Sequence, residues 1–449
     1  MNDGNSRAIA QFVAGNASRT PPDEVLDAAR KCLVDWVGVC TGAHAEKAAH
    51  AVRGVVNGWA QQGRSTLLLG GQTSALGAAL ANGTLAHCLD FDDTYTPGNT
   101  HTSAPLWAAT LALGEERGAS EHEMLCAFAT GFEVCARVGF GLGEAVTARG
   151  FHATGVFGRL GAAASAAALL ELDAETCAHA LGAAATQASG LTGSFGTMAK
   201  PFQAGKAAMD GVLSAQLAAA GFRAATHLLE PRGALDGAMI QDRHAAIAPA
   251  DFGRWEILAN SFKPYAACHL THPAIDAARG LDLTPPEVDR IRRVDVEVGA
   301  LAHQVTAGKS GSPATGLEGK FDLRYIVALA LHGRALSAVD FADPLRGDEA
   351  VRHTAGKVQP VASAAMGYTS AAVRVELQDG SVRSHAVPVA KGHSGNPMTW
   401  DDMRAKFEVL VEPVAGARTG EIFEQLRGFG GGRSRALATL RMLSAALQD

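Results

Sequence analysis

Aromatic and charged residues are both scarce in this sequence of 449 residues. Phe, Trp and Tyr together make up 6% of it, and Asp, Glu, Lys and Arg make up 19%. Gly, by contrast, occurs 51 times. We therefore expect helices that pack closely through small side chains, with extensive internal burial or an oligomer interface. A chain of this length can bury a large core and is expected to form more than one domain.

An excess of basic residues is also lacking, since the formal net charge is −6. A nucleic-acid-binding protein needs a dense face of Lys and Arg to neutralise phosphates, so we expect no nucleic-acid partner. A small anionic substrate remains compatible with this charge, because a few converging cations determine its binding locally.

Long hydrophobic runs and paired cysteine motifs are missing as well. No run of about 18 uninterrupted apolar residues occurs, so no membrane span is predicted. The N-terminal residues, MNDGNSRAIAQFV, contain an early acid and do not resemble a secretory signal. The seven cysteines form no CxxC motif, which indicates buried free thiols in a reducing compartment. These features predict a cytoplasmic protein.

Helical spacing dominates the first 260 residues. Apolar residues recur every three or four positions through residues 26–40, which predicts a helix that ends near Gly42. Residues 153–189 predict a helical hairpin with Asp173 as the cap of its second helix, and residues 204–220 predict a further helix. A further set of residues recurs every three or four positions: Leu76, Leu80, Gly83, His87, Asp90 and Thr94. The first members are apolar and the last are polar. If the segment is helical, one face of the helix would therefore run from the core into a site.

The pattern changes after about residue 265. Residues 293–298 alternate with period two, which is typical of a half-exposed strand. Two further strand-like segments, 372–377 and 382–387, flank an Asp-Gly pair at residues 379–380 and predict a hairpin. Residues 323–331 predict a helix between these segments.

These patterns together predict a mainly α fold with an inserted α+β domain. The large all-helical domain would consist of residues 1–265 and 400–449. The smaller α+β lid domain would consist of residues 266–399.

Three carboxylates, those of Asp90, Asp92 and Asp93, lie close together in the sequence and precede His101. One interpretation is helix-terminal capping followed by a solvated loop. The other is an acid/base cluster to which the loop brings His101, because imidazole has the pKa best suited to proton transfer near neutrality. Thr94 would share a helix face with Asp90 if the helix continued that far. The pattern alone leaves both interpretations open.

His152 and Lys200 each lie at the start of a predicted helix. A histidine there is often only a cap or a packed side chain, but a helix N-terminus also favours a nearby anion. Lys200 lies in the apolar segment FGTMAKP, where a half-buried cation would need an anionic partner. Since a residue before proline avoids the helical region, we expect an extended backbone at Lys200.

A second Lys-Pro pair begins at Lys263, next to the predicted domain boundary, and is followed by His269 and His272. Two histidines alone would suggest a metal site. However, HExxH, a cysteine pair and a third carboxylate ligand at a useful spacing are all missing from the sequence around them. The glycine-rich segments 139–143 and 428–432 lack the lysine and the preceding strand of a nucleotide-binding loop. We therefore predict neither a metal nor another cofactor.

At these same residues the sequence resembles the MmgE/PrpD family, which includes 2-methylcitrate dehydratase, cis-aconitate decarboxylase and iminodisuccinate epimerase. The similar segments occur in family order from about residue 7 to residue 445. They are LVDWVG at 33–38, AHCLDFDDT at 86–94, GFH at 150–152, the FGTMAKP segment ending at Pro201, and KPY at 263–265 with THP at 271–273.

The resemblance implies a helical domain with a lid domain, a homodimer, and a site in the cleft between the two domains. It also implies which residues of this chain form the site. The expected catalytic residues are Asp90, His101, His152 and Tyr325. The expected substrate-binding residues are Thr94, Lys200, Lys263 and His272.

The activity implied by the resemblance is that of a cofactor-independent lyase. Such a dehydratase or decarboxylase would act on a small di- or tricarboxylate, for example 2-methylcitrate or cis-aconitate. The two lysines would hold substrate carboxylates, and His101 and His152 would move a proton on or off a carbon beside a carboxylate. Tyr325 would donate to a developing negative charge or to a leaving hydroxyl.

Two alternatives remain open at this stage. An epimerase or isomerase of an imino- or amino-linked dicarboxylate would use the same groups, and a catalytically silent homologue would only bind carboxylates. The sequence also departs from the family at two places where substrate side groups would be recognised. Phe202-Gln203 stands where many relatives carry His after Lys-Pro-Leu, and the loop before His101 contains Pro97-Gly98-Asn99.

Overall fold

The computed structural model describes residues 4–68, 70–230, 234–241, 246–248, 251–341, 349–432 and 435–446. The chain divides into two compact units. Met1–Ser261 and Trp400–Asp449 form the first unit, and Phe262–Thr399 forms the second. Lys263, which the predicted boundary assigned to the helical domain, therefore lies in the second unit.

The N-terminal part of the first unit is built almost entirely from helices. They are α1 (Asn5–Asn16), α2 (Asp23–Gly42), α3 (Lys47–Gly58), α4 (Ala75–Ala86), α5 (Ser103–Arg117), α6 (Glu121–Gly139), α7 (Gly143–Ala148), α8 (Ala153–Leu169), α9 (Ala174–Thr186), α10 (Ala199–Ala219) and α11 (Leu235–Met239). Two short strands, β1 (Ser65–Thr66) and β2 (Gln72–Thr73), pair antiparallel between α3 and α4.

Side-chain caps define where several of these helices begin. Ser74 accepts a hydrogen bond from the Gly77 N–H at the start of α4, and Ser120 with Glu123 forms a capping box at the start of α6. Asp173 accepts from the backbone N–H of Thr176 and caps α9, as predicted. Each cap satisfies a backbone donor that has no partner within its own helix.

Small residues allow the central helices of the first unit to pack closely. Helix α8 is buried along its whole length. Gly83 of α4 faces Gly205 of α10, and a Cβ added to Gly83 would lie only 2.8 Å from the Gly205 Cα. The two backbones can touch because neither residue has a side chain. The crossing brings the chain leaving α4 close to the first turn of α10, where Lys200 lies.

The second unit contains a four-stranded sheet and short helices. The strands are β3 (Ile291–Val298), β4 (Val358–Ala362), β5 (Ala371–Leu377) and β6 (Val382–Val387), in the order β4-β3-β5-β6. Strand β3 is parallel to β4 and antiparallel to β5. The helices are α12 (His272–Arg279), α13 (Pro285–Asp289), α14 (Ala300–Thr306), α15 (Gly316–Gly319), α16 (Leu323–Leu331) and α17 (Glu349–Ala355).

The predicted hairpin is formed by β5 and β6, which pair antiparallel around a turn in which Gly380 has a φ of 82°. A positive φ is the reason for glycine at this position. The chain then returns to the first unit through α18 (Trp400–Ala415), α19 (Thr419–Arg427) and α20 (Ala436–Ala446). The predicted fold class, a large helical part with a smaller α+β part, is confirmed.

Two local predictions are wrong. The stripe that was expected to continue helically to Thr94 leaves the helix at Ala86, because His87 caps α4 and Asp90 has a left-handed φ of 53°. Asp90 and Thr94 therefore do not share a helix face. Lys200 was expected in an extended conformation but is the second residue of α10. Pro201 is tolerated there because N–H groups in the first turn have no acceptor within the helix.

Within the part of the chain that the structure describes, the helices are all too short or too polar to cross a bilayer.

Candidate active site

The segment after α4 carries the acidic residues predicted from the sequence. Asp90, Asp92 and Asp93 are all buried, and so is Thr94. The segment is held by an antiparallel bridge, in which the Thr94 N–H donates to the Ser261 carbonyl at 2.8 Å and the Ser261 N–H donates back at 3.0 Å. The polar side chains are thus fixed by backbone pairing rather than by helical spacing.

Asp90 pairs with Lys200 from the first turn of α10. The Lys200 Nζ donates to Oδ1 of Asp90 at 2.7 Å, and both side chains are more than nine-tenths buried. His101 approaches the same carboxylate oxygen, with its Nε2 3.7 Å away. Asp90 is therefore the anionic partner that was expected for a buried Lys200.

Asp92 lies between two imidazoles. Its Oδ2 is 2.7 Å from Nδ1 of His87 and 3.2 Å from Nδ1 of His101. Burial raises the pKa of Asp92, but the two histidines outweigh it and hold the pKa well below its usual range. Burial lowers the pKa of His87 to about 4, with Lys200 acting in the same direction. His87 is therefore a neutral ring that donates to an ionised carboxylate.

His152 caps α8 and completes a group of three histidines. Its ring stacks on that of His87 with centroids 5.6 Å apart, and the His87 and His101 rings meet edge to face at 4.6 Å. Burial lowers the pKa of His152 well below its usual value, and the neighbouring His87 and Lys200 add to the effect. His152 is therefore neutral near pH 7, so one of its ring nitrogens has a free lone pair.

The hydroxyl of Thr94 is buried and has no hydrogen-bond partner in the described part of the chain. Asp93, although adjacent to Asp92, faces elsewhere and accepts hydrogen bonds from the Ser103 N–H at 3.2 Å and the Asn260 amide at 2.6 Å. It therefore fixes the backbone, whereas Asp90 and Asp92 contact the histidines and Lys200.

The first unit thus brings together four of the predicted residues, Asp90, His101, His152 and Lys200. It also contains Thr94. The other three, Lys263, His272 and Tyr325, belong to the second unit and are also buried.

In the second unit, His272 is part of a group of aromatic rings. Its ring meets those of Tyr265 at 5.2 Å and His269 at 4.8 Å, and His269 stacks on His393 at 4.2 Å. Burial lowers the pKa of His393 to about 4. Tyr325 lies on α16, with its ring edge to face with Phe341 at 6.5 Å.

Sequence reasoning did not select several residues that the structure places in these groups. His87 and Asp92 lie within the AHCLDFDDT segment, so their proximity to Asp90 in the chain was the available signal. Gln203, noted only as a departure from the family, lies 2.7 Å from Nδ1 of His152. His393 lies 124 residues after His269 in the numbering, and no local pattern connects the two.

A metal ion could be held by one group of described residues. Ligand atoms of His87, Asp92 and His101 lie within 4.8 Å of one another. Two imidazoles and a carboxylate suit a transition metal. The same atoms also suit proton transfer, and the absence of a cofactor remains a prediction.

Comparisons with known proteins identify the family of this chain. The MmgE/PrpD N-terminal domain model matches residues 7–247, and the MmgE/PrpD C-terminal domain model matches residues 265–427. A cis-aconitate decarboxylase of Aspergillus terreus is 24% identical over an alignment 453 positions long, and the alignment covers 94% of this chain and 92% of the relative. The cis-aconitate decarboxylases of Mus musculus and Homo sapiens are each 27% identical over 74% of this chain, and the matches cover 70% and 71% of their own lengths. The chain therefore belongs to the MmgE/PrpD family.

Proposed function

We propose that the chain is a cofactor-independent lyase, a dehydratase or decarboxylase, which acts on a small di- or tricarboxylate such as 2-methylcitrate or cis-aconitate. The family and the name of the relatives, cis-aconitate decarboxylase, support this class of reaction. The observation that carries the proposal is that the Lys200 cation and the neutral His152 belong to one buried group. Such a reaction needs both a cation for the carboxylate and a group that accepts a proton.

Lys200 is the proposed carboxylate-binding residue of the first unit. An ammonium group has three N–H donors, and Asp90 accepts from one of them. A substrate carboxylate can accept from another in a charge-assisted hydrogen bond while Asp90 holds the Lys200 side chain in place. The Thr94 hydroxyl is a further donor toward the substrate.

His152 and His101 are the proposed proton-transfer residues. In a dehydration, His152 removes a proton from the carbon beside a carboxylate, and the hydroxyl on the next carbon leaves as water after protonation. In a decarboxylation, the electron pair of the broken carbon–carbon bond remains on carbon, which then takes up a proton. Negative charge develops beside a carboxylate in both reactions, and the Lys200 cation stabilises it. His101, next to Asp90 and Asp92, is the proposed proton donor.

Roles for three residues of the second unit rest on the family resemblance. We assign Lys263 and His272 to substrate binding and Tyr325 to proton donation toward the developing charge or the leaving hydroxyl. We also propose a homodimer, which sedimentation velocity of the purified chain would test. A mass of one chain across micromolar concentrations would contradict it.

The test of the function is proton NMR in D₂O of the purified, EDTA-treated protein with a panel of C4–C7 di- and tricarboxylates. The panel includes cis-aconitate, 2-methylcitrate and an imino-linked dicarboxylate. A new alkene signal or loss of carbon dioxide is the expected result. Deuterium exchange at one carbon without loss of a group would indicate an epimerase instead. Binding in a thermal-shift assay without any turnover would indicate a silent carboxylate-binding protein.

A further inference from the structure

The hydrogen bonds around Gln203 determine which ring nitrogen of His152 carries a proton. The Gln203 Nε2 donates to the carbonyl oxygen of Leu191 at 3.2 Å. Because a carbonyl oxygen can only accept, the amide must be oriented with its own oxygen on the other side, where it lies 2.7 Å from Nδ1 of His152. That oxygen is also only an acceptor, so Nδ1 must be the donor.

We infer that Gln203 is a positioning residue that holds His152 in the Nδ1–H tautomer, which leaves the lone pair on Nε2 to accept the proton in the reaction. The identity of His152 as the base rests on the proposed function. The tautomer follows from the hydrogen bonds alone, so the two can be tested separately.

The backbone around Gly190 is shaped for this contact. Gly190 has a φ of 128°, and its carbonyl accepts from the His152 N–H at 3.0 Å. A Cβ at this position would lie 3.0 Å from Oε1 of Gln203 and 3.3 Å from Cβ of His152. A side chain would therefore press on the pair, and glycine both permits the backbone conformation and leaves the space.

An amide suits this position because it orients the ring without adding charge. A carboxylate bonded to Nδ1 would favour the imidazolium form, in which no lone pair remains to accept a proton. The charged and titratable groups near His152 are His87 at the end of α4, His101 before α5 and Lys200 on α10. Burial and the Lys200 cation disfavour a positive charge on the ring, and Gln203 adds orientation to a ring that is already neutral.

The tautomer can be read directly by nitrogen NMR of protein labelled with ¹⁵N-histidine. The protonated and unprotonated nitrogens of a neutral ring have widely separated shifts, and the His152 signals are assigned by their loss in His152→Asn. In the wild type, we expect Nδ1 to be protonated and Nε2 to be unprotonated. In Gln203→Met, which has similar length but no acceptor, a mixture of tautomers is expected. In Gln203→Glu, studied where the ring is neutral, the Nδ1–H tautomer should return.

Kinetics supply the second measurement once a substrate is known. Gln203→Met should lower kcat by about tenfold or more, with KM changed less than about threefold, because proton transfer and not binding is affected. The control is Gln187→Met, since Gln187 donates to the Ala183 carbonyl and the Ser214 hydroxyl and has no contact with His152 among its hydrogen bonds. It should keep the wild-type kcat and the wild-type His152 signals.

Two results would overturn the inference. One is a wild-type His152 protonated on Nε2, and the other is a Gln203→Met protein in which Nδ1 stays fully protonated. A wild-type Nδ1–H signal that is lost in Gln203→Met, in a protein that turns over no substrate of the panel, would keep the tautomer assignment and reject the proposed function.

Discussion

Asp92 and Asp93 are adjacent in the chain, yet their carboxyl groups lie in different surroundings. Burial raises the pKa of both, but the imidazoles beside Asp92 reverse the effect and keep it ionised. Asp93 has no histidine beside it, and its pKa is raised to about 6 in spite of donors from Ser103 and Asn260. The first carboxylate can therefore orient and charge-stabilise His101, whereas the second is a structural acceptor.

Asparagine substitutions at these two positions should have separate effects. Asp92→Asn should lower kcat by about 100-fold, because the loss of an acid/base contribution has an effect of this size. Its free energy of unfolding should change less than that of Asp93→Asn. Asp93→Asn should lower the free energy of unfolding by about 1–3 kcal/mol, because its new N–H₂ group would face the donors of Ser103 and Asn260. Urea unfolding and steady-state kinetics of both variants provide the measurement. The two carboxylates would not have separate roles if both variants were destabilised equally and Asp92→Asn kept the wild-type kcat.

Lys200 has a matched control on its own helix. Lys200→Met should lower kcat/KM by about 10- to 100-fold, as expected for the loss of a hydrogen bond to a charged group. Lys206 also lies on α10, but it pairs with Asp210. Arg159 contacts the same carboxylate at 2.9 Å. Lys206→Met should therefore keep kcat/KM within about twofold. Similar losses in the two variants would show that any positive charge on α10 has the effect.

At the scale of elements, the crossing of α4 and α10 depends on glycine. A Cβ on Gly205 would contact the Leu80 carbonyl oxygen and lie 2.7 Å from the Thr84 backbone nitrogen. Gly205→Ala should therefore force the helices apart and lower the free energy of unfolding by about 1–3 kcal/mol. Gly54→Ala is the control, because Gly54 lies on exposed helix α3 with open space around its Cα. Urea unfolding should show that variant to be unchanged or slightly more stable.

Helix α6 contains a buried carboxyl group that makes stability depend on pH. Burial raises the pKa of Glu133 from 4.5 to about 7, although the Ile257 N–H donates to it at 3.0 Å and Arg137 lies nearby. The folded chain keeps this proton at pH values where the unfolded chain has lost it. The contribution of Glu133 to stability therefore falls as pH rises from about 4.5 to about 7 and stays low above that.

Glu133→Gln cannot ionise and should lose this pH dependence. Relative to the wild type, the variant should gain about 3 kcal/mol of unfolding free energy between pH 4.5 and pH 8, given about 1.4 kcal/mol for each unit of pKa. Urea unfolding of the two proteins at both pH values provides the comparison. A constant difference between them would show that Glu133 is ionised in the folded protein throughout this range.

The sequence predicted elements well where their pattern is local. The periodicity through residues 26–40 corresponds to α2, and the Asp-Gly turn corresponds to the β5–β6 hairpin. The sequence-based prediction failed where the surrounding structure outweighed a local rule such as residue spacing. The three-four spacing continued beyond Ala86, but Asp90 adopts a left-handed backbone conformation that no spacing indicates. Pro201 was expected to keep Lys200 in an extended conformation, yet both residues lie in the first turn of α10.

At the scale of the whole molecule, a buried ion pair connects the C-terminal helices to the N-terminal ones. Lys406 of α18 lies 2.6 Å from Asp35 of α2 and donates to the Phe91 carbonyl at 2.7 Å. Its ammonium also lies 4.0 Å from the centroid of the Phe91 ring. The α18 helix therefore contacts the segment that carries Asp90 and Asp92.

Removing one member of this pair should be worse than removing both. Lys406→Met leaves the Asp35 carboxyl group buried without its cation and should lower the free energy of unfolding by about 3–5 kcal/mol. The double variant Asp35→Leu with Lys406→Met should recover much of that loss. Urea unfolding of the single and double variants tests this, and strictly additive losses would contradict a direct coupling.

Contacts between residues that lie far apart in the sequence explain why only part of the candidate site could be predicted. Asp90, His152 and Lys200 were selected because they lie in segments shared with a family, and His101 was selected as the loop histidine that the resemblance implied. His87 and Gln203 were not selected, because their contacts with Asp92 and His152 depend on where a helix ends and how two helices pack. A single sequence supplies no distances between such positions.

The ion pair between α2 and α18 also bears on the order of events during synthesis. A ribosome makes Asp35 and the acidic segment early, but Lys406 emerges only after the entire inserted unit, Phe262–Thr399, has been translated. Until then Asp35 has no cation and the Phe91 carbonyl lacks its donor. A nascent chain therefore cannot complete the first unit before the second has been translated, and a polypeptide that ends before Lys406 would lack this contact with the acidic segment.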